Sequence, residues 1–351
     1  MVDIDLSYND LTTTPLATVV SDHALVRSLD LSGNNISAES LIDMVDKHIS
    51  RMINLEELDL KDNRMGPRGA EHLCKALMQH CPKLRYLDLN ENSILDESLL
   101  HVAYLLQESR IESLFLVSNH LTPRGLPTLC DGVVSSNYVR ELQLAFNLLG
   151  DAGAVLLAKA LRDHPTLRSL DISDNGVGDA GAVAVAEHLI LPPASRLESL
   201  TLSVNKIADV GFAAIAEAVA HTRSTRLRHL DLGCNAAVGN TGRSALTQHA
   251  RHMRHLQSLD LCSCKLSDAD AQRLTEAVLS DTCGITQIEW YNNPAIKLET
   301  EKALQEAIDA KYASLVQKEK QQLKMKRIGG VICGAALLAS AVTITMRLRR
   351  R

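Results

Sequence analysis

Apolar residues recur along most of the chain in one pattern: apolar, two variable, apolar, one variable, apolar, two variable, Asn, one variable, apolar. One copy reads Leu55, Leu58, Leu60, Asn63 and Met65. The apolar alternation predicts a short β-strand with one buried face, and the Asn, at position nine of the pattern, marks the turn after it. Intervals of 25 to 30 residues indicate tandem repeats rather than separate domains. Position nine falls at Asn9, Asn34, Asn63, Asn92, Asn119, Asn147, Asn175, Asn205, Asn235, Cys264 and Asn293.

A helical segment follows each of these turns. The sequence GDAGA at residues 150–154, and again at 178–182, leads into apolar residues at helical spacing. We expect Asp151 and Asp179 to cap the helices that they begin. A unit of strand, turn, helix and return loop cannot bury its own apolar face, so the units must stack. The chain is therefore predicted to form an α/β solenoid over residues 1–296, with a parallel concave sheet and convex helices.

This repeat resembles a known type. The 28- to 29-residue period, with LGDAGA and then a Leu/Ala-rich helix after the Asn, is similar to the ribonuclease-inhibitor type of leucine-rich repeat. The same type occurs in NOD-like receptors and in Ran GTPase-activating proteins. The resemblance implies a right-handed horseshoe of about eleven repeats. It implies no particular activity, because this scaffold serves many kinds of partner.

The Asn side chains are predicted to form a structural ladder. An amide can bond the backbone of the turn where each strand ends, and stacked amides would pair polar groups that are otherwise buried. Cys264 replaces one Asn. A thiol is a weak donor, so we expect a weaker rung there, although this type of repeat accepts Cys at the position.

The two ends of the chain raise separate expectations. The first strand pattern begins at residue 1, so either a short segment covers that sheet edge or the true start lies upstream. Residues 297–327 are predicted to form an amphipathic, basic cap and linker helix.

Residues 328–346 hold no charged residue and lie between KMKR and the basic tail 347–351. As a helix they would span ~28 Å, close to the thickness of a bilayer core. We predict a transmembrane tail anchor here; the alternative is a buried helix of the cap. Its basic end favours the mitochondrial outer membrane or a peroxisome-type organelle over the endoplasmic reticulum, with the repeats facing the cytosol. The anchor residues are Ile328, Gly330, Gly334, Leu337, Leu338 and Met346, of which the two Gly could pack two such helices together.

The net charge of −5 is divided unevenly along the chain. Residues 311–351 carry a net charge of +9, and residues 1–310 a net charge of −14. An acidic body is unsuited to the phosphates of nucleic acid, so we expect no nucleic-acid partner. The basic C-terminal segment suits an anionic membrane surface.

The sequence carries no recognisable catalytic motif, so we predict no enzyme activity, small-molecule substrate, metal or cofactor. His249, His252 and His255 have a spacing that would suit zinc, but neighbouring Arg residues favour a polar helix end. Three cysteines at adjacent repeats are expected to be buried thiols rather than a redox or metal site. They are Cys234, Cys262 and Cys264.

Position five of the pattern should face solvent from the sheet, and it is acidic in eight of eleven repeats. Like charges in a row repel one another, so the acids reflect either the repeat consensus or a role in solubility and recognition. The row is broken in the middle by Phe115, Gln143 and Thr201.

The middle repeats are therefore the candidate partner-binding region. The chain has only three Phe, and two of them, Phe115 and Phe146, fall at positions predicted to face solvent. Aromatic residues inside a polar rim are typical of a protein interface; the alternative is that the turn folds over Phe146 and Leu148 and buries them. The predicted partner-binding residues are Tyr86, Asp88, Phe115, Val117, Arg140, Glu141, Gln143, Phe146, Leu148 and Asp171.

These patterns favour a membrane-tethered scaffold that recruits a protein partner, one with an apolar anchor and basic flanks, through its concave face. One alternative is a regulator of a small GTPase, as the resemblance to Ran GTPase-activating proteins allows. Another is a soluble recognition module with a packed C-terminal helix.

Overall fold

The computed structural model describes residues 1–9, 11, 20, 22–221 and 226–328, except the side chains of residues 319 and 322–328. From the second strand onward, strands and helices alternate. The strands are β1 (Val2–Asp5), β2 (Val26–Asp30), β3 (Glu57–Asp59), β4 (Tyr86–Asp88), β5 (Ser113–Phe115), β6 (Glu141–Gln143), β7 (Ser169–Asp171), β8 (Ser199–Thr201), β9 (His229–Asp231), β10 (Ser258–Asp260) and β11 (Gln287–Glu289). The helices are α1 (Ala38–Lys47), α2 (Gly66–His80), α3 (Leu99–Glu108), α4 (Leu126–Ser135), α5 (Gly150–Ala160), α6 (Asp179–Val185), α7 (Asp209–His221), α8 (Asn240–His249), α9 (Asp268–Leu279) and α10 (Leu298–Ile328).

The eleven strands form one parallel sheet in the order of the sequence. Equivalent residues of successive repeats lie side by side: Leu29 is level with Leu58, and Leu58 with Leu87. This register follows from the repeat, because each strand must direct the same apolar position into the same core. The predicted solenoid of strand–helix units is confirmed.

The core is built from the apolar positions of the repeat together with small residues from the helices. Leu58, Leu60 and Met65 are fully buried, as are their counterparts in the other central repeats. The recurrent Gly near each helix start has a steric reason. A Cβ at Gly181 would lie 2.8 Å from Asp151 Oδ1 and 2.9 Å from Ala154 Cβ of the preceding repeat. Glycine therefore lets neighbouring helices approach closely.

The chain forms two compact units, Met1–Ile308 and Asp309–Arg351. The first unit includes the start of α10, where Leu304 and Ile308 are buried. In the second unit the helix continues to Ile328.

Apart from Ile328, the predicted anchor lies outside the described residues. Within the part of the chain that is described, no helix combines the length and apolarity needed to cross a membrane.

Candidate partner-binding face

The Asn ladder is present, and it joins each repeat to the one before it. Asn119 Oδ1 accepts hydrogen bonds from the backbone N–H groups of Asn92 (3.1 Å) and Ile94 (3.2 Å). Its Nδ2 donates to the carbonyl oxygens of Leu89 (2.8 Å) and Val117 (3.1 Å). One amide thus pairs buried backbone groups of two repeats. The buried members are Asn34, Asn63, Asn92, Asn119, Asn147, Asn175, Asn205, Asn235 and Asn293.

Two positions of the ladder differ from the rest. Asn9, at the first strand, is exposed, and its Nδ2 donates to Ser7 O in its own turn (2.9 Å). Cys264 is fully buried, and its thiol donates to Leu232 O at 3.2 Å. A thiol offers one weak donor where an amide offers two, so this rung ties fewer backbone groups than its neighbours.

The prediction that Asp151 and Asp179 cap their own helices is wrong. Asp151 Oδ1 accepts from the N–H groups of Gly178 (2.7 Å) and Gly181 (2.8 Å), at the start of the next helix. Asp179 bonds the N–H groups of Ala208 and Gly211 in the same way, each at 2.8 Å. The close stacking of the repeats places each carboxylate nearer to the following helix than to unpaired N–H groups of its own.

The acids at position five have a local structural role. Asp59 Oδ1 accepts from the N–H of Lys61 two residues later (2.8 Å), and Asp171 does the same with Ser173 (2.8 Å). This is an Asx-turn, which closes the chain at the end of the strand. The repeat consensus therefore explains much of the acidic row without a ligand.

Phe115 occupies position five of its repeat, where the turn needs an acceptor that Phe cannot supply. The N–H of Val117 instead donates to Asn90 Oδ1 of the preceding repeat, at 2.6 Å. Repeat five therefore keeps its turn closed and presents an aromatic ring in place of a carboxylate.

The structure brings two predicted binding residues into direct contact. The rings of Tyr86 and Phe115 lie 4.9 Å apart, centroid to centroid, at 43° to each other. Phe146 is 55% exposed and Leu148 is 64% exposed, so the turn does not bury them. Val117 is half-buried. We call these five residues the aromatic patch: Tyr86, Phe115, Val117, Phe146 and Leu148.

The acids predicted to rim this patch are less exposed than the sequence implied. Asp88 is only 5% exposed, so its predicted place in an exposed rim is wrong, and burial raises its pKa to about 6. Asp171 is half-buried, and burial raises its pKa as well.

The remaining polar residues of the predicted site are held by their neighbours. Arg140 is exposed and pairs with Glu112 (2.8 Å). Glu141 accepts hydrogen bonds from Ser113 Oγ (3.1 Å) and Gln143 Nε2 (2.8 Å). The polar groups beside the aromatic patch are therefore held in place by neighbouring side chains.

Sequence reasoning missed the backbone conformation at position eight. Every residue there has φ between 46° and 66°, in the left-handed region. The Gly, Asn and Asp at this position in several repeats were the signal, because these residues tolerate that conformation. The residues are Tyr8, Gly33, Asp62, Glu91, Ser118, Phe146, Asp174, Val204, Cys234, Ser263 and Asn292.

The other polar clusters do not form a metal site. Within the described residues, no group of three or more His, Cys, Asp or Glu could hold a metal ion. Cys262 and Cys264 are buried, and burial raises the pKa of both thiols, so neither is activated. Cys234 is exposed, contrary to the expectation of a buried thiol.

The stacked strand–helix units and their Asn ladder define a leucine-rich-repeat solenoid. A family model described as Leucine Rich repeat matches seven segments, at residues 23–45, 51–74, 80–102, 135–158, 163–186, 223–246 and 252–274. These seven segments therefore match leucine-rich repeats.

The chain is also similar to individual proteins that carry such repeats. The ribonuclease inhibitor of Sus scrofa is 30% identical over 149 residues, which are 42% of this chain and 32% of the inhibitor. The NACHT, LRR and PYD domains-containing protein 14 of Mus musculus is 33% identical over 111 residues, 31% of this chain and 11% of that protein. The chain thus spans no more than about a third of the length of either relative. These similarities support a repeat of the ribonuclease-inhibitor type.

Solved structures show a weaker likeness. A chain from the crystal structure of the yeast Rad7 and Elc1 complex has a TM-score of 0.41 and 13% identity, covering 68% of this chain and 62% of that one. A likeness at this level carries no argument about function.

Proposed function

We propose that this protein is a binding scaffold that recruits a protein partner through the concave face of its sheet, at the aromatic patch of repeats four to six. The similarity to ribonuclease inhibitors, which by their name act on another protein, supports a binding role. Leucine-rich-repeat solenoids offer an extended surface on which such a partner can lie.

The observation that carries this proposal is the pair of Tyr86 and Phe115 on the open sheet face. The other repeats place polar residues at both of these positions, so the aromatic pair departs from the repeat. The turn does not require an aromatic residue at position five, because Asn90 closes it. Clustered aromatic side chains are the residues that supply most of the free energy of binding in protein interfaces.

The surrounding charges indicate the chemistry of the partner. Position five carries acids on both sides of the patch, and residues 1–310 have a net charge of −14. Arg140 is already paired with Glu112, so it does not offset the acids. A partner with an apolar anchor and basic flanks is complementary to this face, and charge of this kind speeds association.

The test is a double substitution, Phe115→Ala with Phe146→Ala. Partners of the wild-type chain are cross-linked, identified and then measured against both purified proteins. We expect the double variant to fold normally and to lose at least about 10-fold in affinity, as hot-spot residues do. The matched control is Leu100→Ala with Tyr104→Ala, two residues of α3 with similar exposure (46% and 50%) on a convex helix. A double variant that folds and still binds every partner as tightly as wild type would refute the proposal.

We further propose that residues 328–346 tether the scaffold to a membrane, with the repeats facing the cytosol. The support is the uncharged stretch of 19 residues between two basic segments. The basic end favours the mitochondrial outer membrane or a peroxisome-type organelle.

Extraction with alkaline carbonate tests the tether. A full-length fluorescent fusion should stay in the membrane pellet, and a fusion truncated after Arg327 should be soluble. Imaging of the full-length fusion then identifies the organelle. If both forms are extracted, residues 328–346 do not anchor the protein in a membrane. The proposal of partner binding at the concave face is unaffected by that result.

A further inference from the structure

Two exposed apolar residues occupy backbone positions that suit neither of them. Phe146 (φ 54°) and Val204 (φ 55°) both lie at position eight, in the left-handed conformation. This conformation is unfavourable for residues other than Gly, Asn and Asp, and most of all for bulky or β-branched side chains. The same position holds Asp62, Asp174 and Asn292 in other repeats, so the fold itself has no need of an apolar residue there.

A third bulky residue at this position has a structural explanation. The ring of Tyr8 lies against Gly33 of the next repeat, in the space that a Cβ at residue 33 would occupy. Phe146 and Val204 are 55% and 43% exposed. Strain at exposed residues, repeated at equivalent sites, is typical of surfaces that serve recognition.

Phe146, Asp174 and Val204 lie in successive turns, just after the C-terminal ends of strands β6, β7 and β8. We call these three residues the turn row. Adjacent strands are about 4.8 Å apart, so the two apolar residues should lie about 10 Å apart with the carboxylate between them. Residues i, i+3 or i+4, and i+7 of an α-helix lie on one face at nearly this spacing, about 5 to 6 Å per step.

The surface beside the turn row is open. Position ten of the same repeats holds Leu148, Gly176 and Lys206. A Cβ added at Gly176 would have Lys206 Nζ, at 4.0 Å, as its one neighbour within that distance. A backbone could therefore lie over Gly176, between the exposed Leu148 and the exposed Lys206.

We propose that the turn row binds an amphipathic helix of the partner, one that presents an apolar, a basic and an apolar side chain at i, i+3 or i+4, and i+7. The basic residue meets Asp174, and the two apolar residues meet Phe146 and Val204. This inference rests on the proposed function and extends the binding surface from the aromatic patch to repeat eight. It assigns a contact to Val204, which the sequence pattern did not single out.

The test uses a phage-displayed library of helical peptides of about 20 residues, long enough to be helical in isolation. One face is randomised in an Ala- and Gln-rich host. The library is selected against the full-length protein in detergent micelles. The enriched peptides are then measured against Phe146→Asn, Val204→Asn, Phe115→Ala and the control Asp62→Asn. The control changes the same position of the repeat outside the turn row.

We expect the enriched peptides to share the apolar–basic–apolar spacing. Each should lose at least about 10-fold in affinity for Val204→Asn and for Phe146→Asn, as for hot-spot residues, and be unchanged with Asp62→Asn. The two Asn substitutions should also raise the apparent Tm by about 2–4 °C, because Asn relieves the strained backbone. Lost binding in a more stable protein cannot be ascribed to unfolding.

Three outcomes would overturn the inference in distinguishable ways. Peptides that lose affinity for Phe115→Ala but bind Val204→Asn normally would refute the turn row and leave the concave-face proposal standing. Peptides that bind both of these variants as tightly as wild type, or a selection that enriches no sequence, would refute helix binding at the turn row. The concave-face proposal is then decided by the Phe115→Ala with Phe146→Ala double variant and the cross-linked partners. A lowered Tm for the Asn variants would show that Phe146 and Val204 are retained for stability.

Discussion

Positions eight and nine of the repeat are neighbours in the same turn, yet they are governed by different requirements. Position nine is buried in every repeat but the first, and a central amide such as that of Asn119 bonds the backbone of two repeats. Position eight has an equally constant backbone, but its side chain faces solvent and ranges from Gly33 to Phe146. The comparison teaches that a regular backbone does not imply a regular surface. Residues that depart from the repeat at exposed positions are the ones on which function can act.

Removal of a central ladder amide should have the largest effect. In Asn119→Ala the N–H groups of Asn92 and Ile94 lose their acceptor, and the carbonyls of Leu89 and Val117 lose a donor. Buried polar groups without partners cost about 1–3 kcal/mol each, so we expect a loss of at least about 3 kcal/mol. Denaturation in urea measures it.

The adjacent, exposed His120 supplies the control. His120 has φ 59°, so the control is His120→Asn, because Asn tolerates that conformation and the substitution should alter stability by no more than about 0.5 kcal/mol. A small effect of Asn119→Ala would break the comparison, since the ladder position would then be no more constrained than the surface. Because unfolding of repeat arrays need not be two-state, several probes should be followed.

The fold was largely predictable because the same spacing of apolar residues and Asn recurs in every repeat but one, where Cys264 replaces the Asn. The spacing of Leu58, Leu60 and Asn63 specifies a strand, its buried face and its turn, and stacking follows from the unburied apolar surface. Contacts between repeats were not predictable in the same way. Asp151 lies in the first turn of its own helix, but stacking brings its carboxylate to the N–H groups of Gly178 and Gly181.

The candidate site was predictable in part. The scarcity of Phe identified Phe115 and Phe146, and the structure leaves Phe146 exposed and places Phe115 against Tyr86. The degree of burial was not predictable, because it depends on side chains of neighbouring repeats, as at Asp88. The left-handed backbone of the turn could be inferred only from the few Gly, Asn and Asp residues at position eight.

Asp88 is buried although position five was expected to face solvent, and its pKa makes that burial testable. Burial raises its pKa from 3.8 to about 6, so folding takes up a proton between those values. Its contribution to stability is then largest below about pH 4 and is lost as the pH rises through 6. Asp88→Asn keeps an acceptor for the N–H of Asn90 and removes the buried charge. We expect it to be more stable than wild type by about 2 kcal/mol at pH 7 and to lose this advantage at pH 4.

Asp5 provides the contrast for this pH dependence. Its exposed carboxyl accepts from the N–H and hydroxyl of Ser7, which lowers its pKa. Its ionisation therefore favours the folded state above pH 4, and Asp5→Asn should change stability in the opposite direction from Asp88→Asn. Parallel pH profiles for the two variants would contradict the assignment of burial as the cause.

The carboxylates between helices should contribute less than the ladder amides, because they are only partly buried. Asp179→Ala removes the acceptor of two N–H groups at the start of α7, and loss of such a cap costs about 1–2 kcal/mol. Asp209→Ala removes the equivalent bonds to Gly239 and Gly242 and should cost about as much. Hydrogen exchange distinguishes the two possible caps. Amide protection should fall at residues 208–211 in Asp179→Ala. A fall confined to α6 would instead show that Asp179 caps its own helix.

Cys264 allows the comparison to be tested in reverse, with the smallest expected effect. Its thiol donates to Leu232 O, whereas the equivalent amide of Asn235 donates to three carbonyls, those of Leu202, Leu232 and Gly233. Cys264→Asn should restore the missing bonds and stabilise the protein by about 1 kcal/mol, the net value of one hydrogen bond. Cys264→Ala, which removes the thiol and adds no amide, should destabilise it and serves as the control. If Cys264→Asn proves no more stable than Cys264→Ala in urea denaturation, then the packing around residue 264 suits the thiol. An amide then stabilises this position of the repeat only where the neighbouring side chains leave room for it.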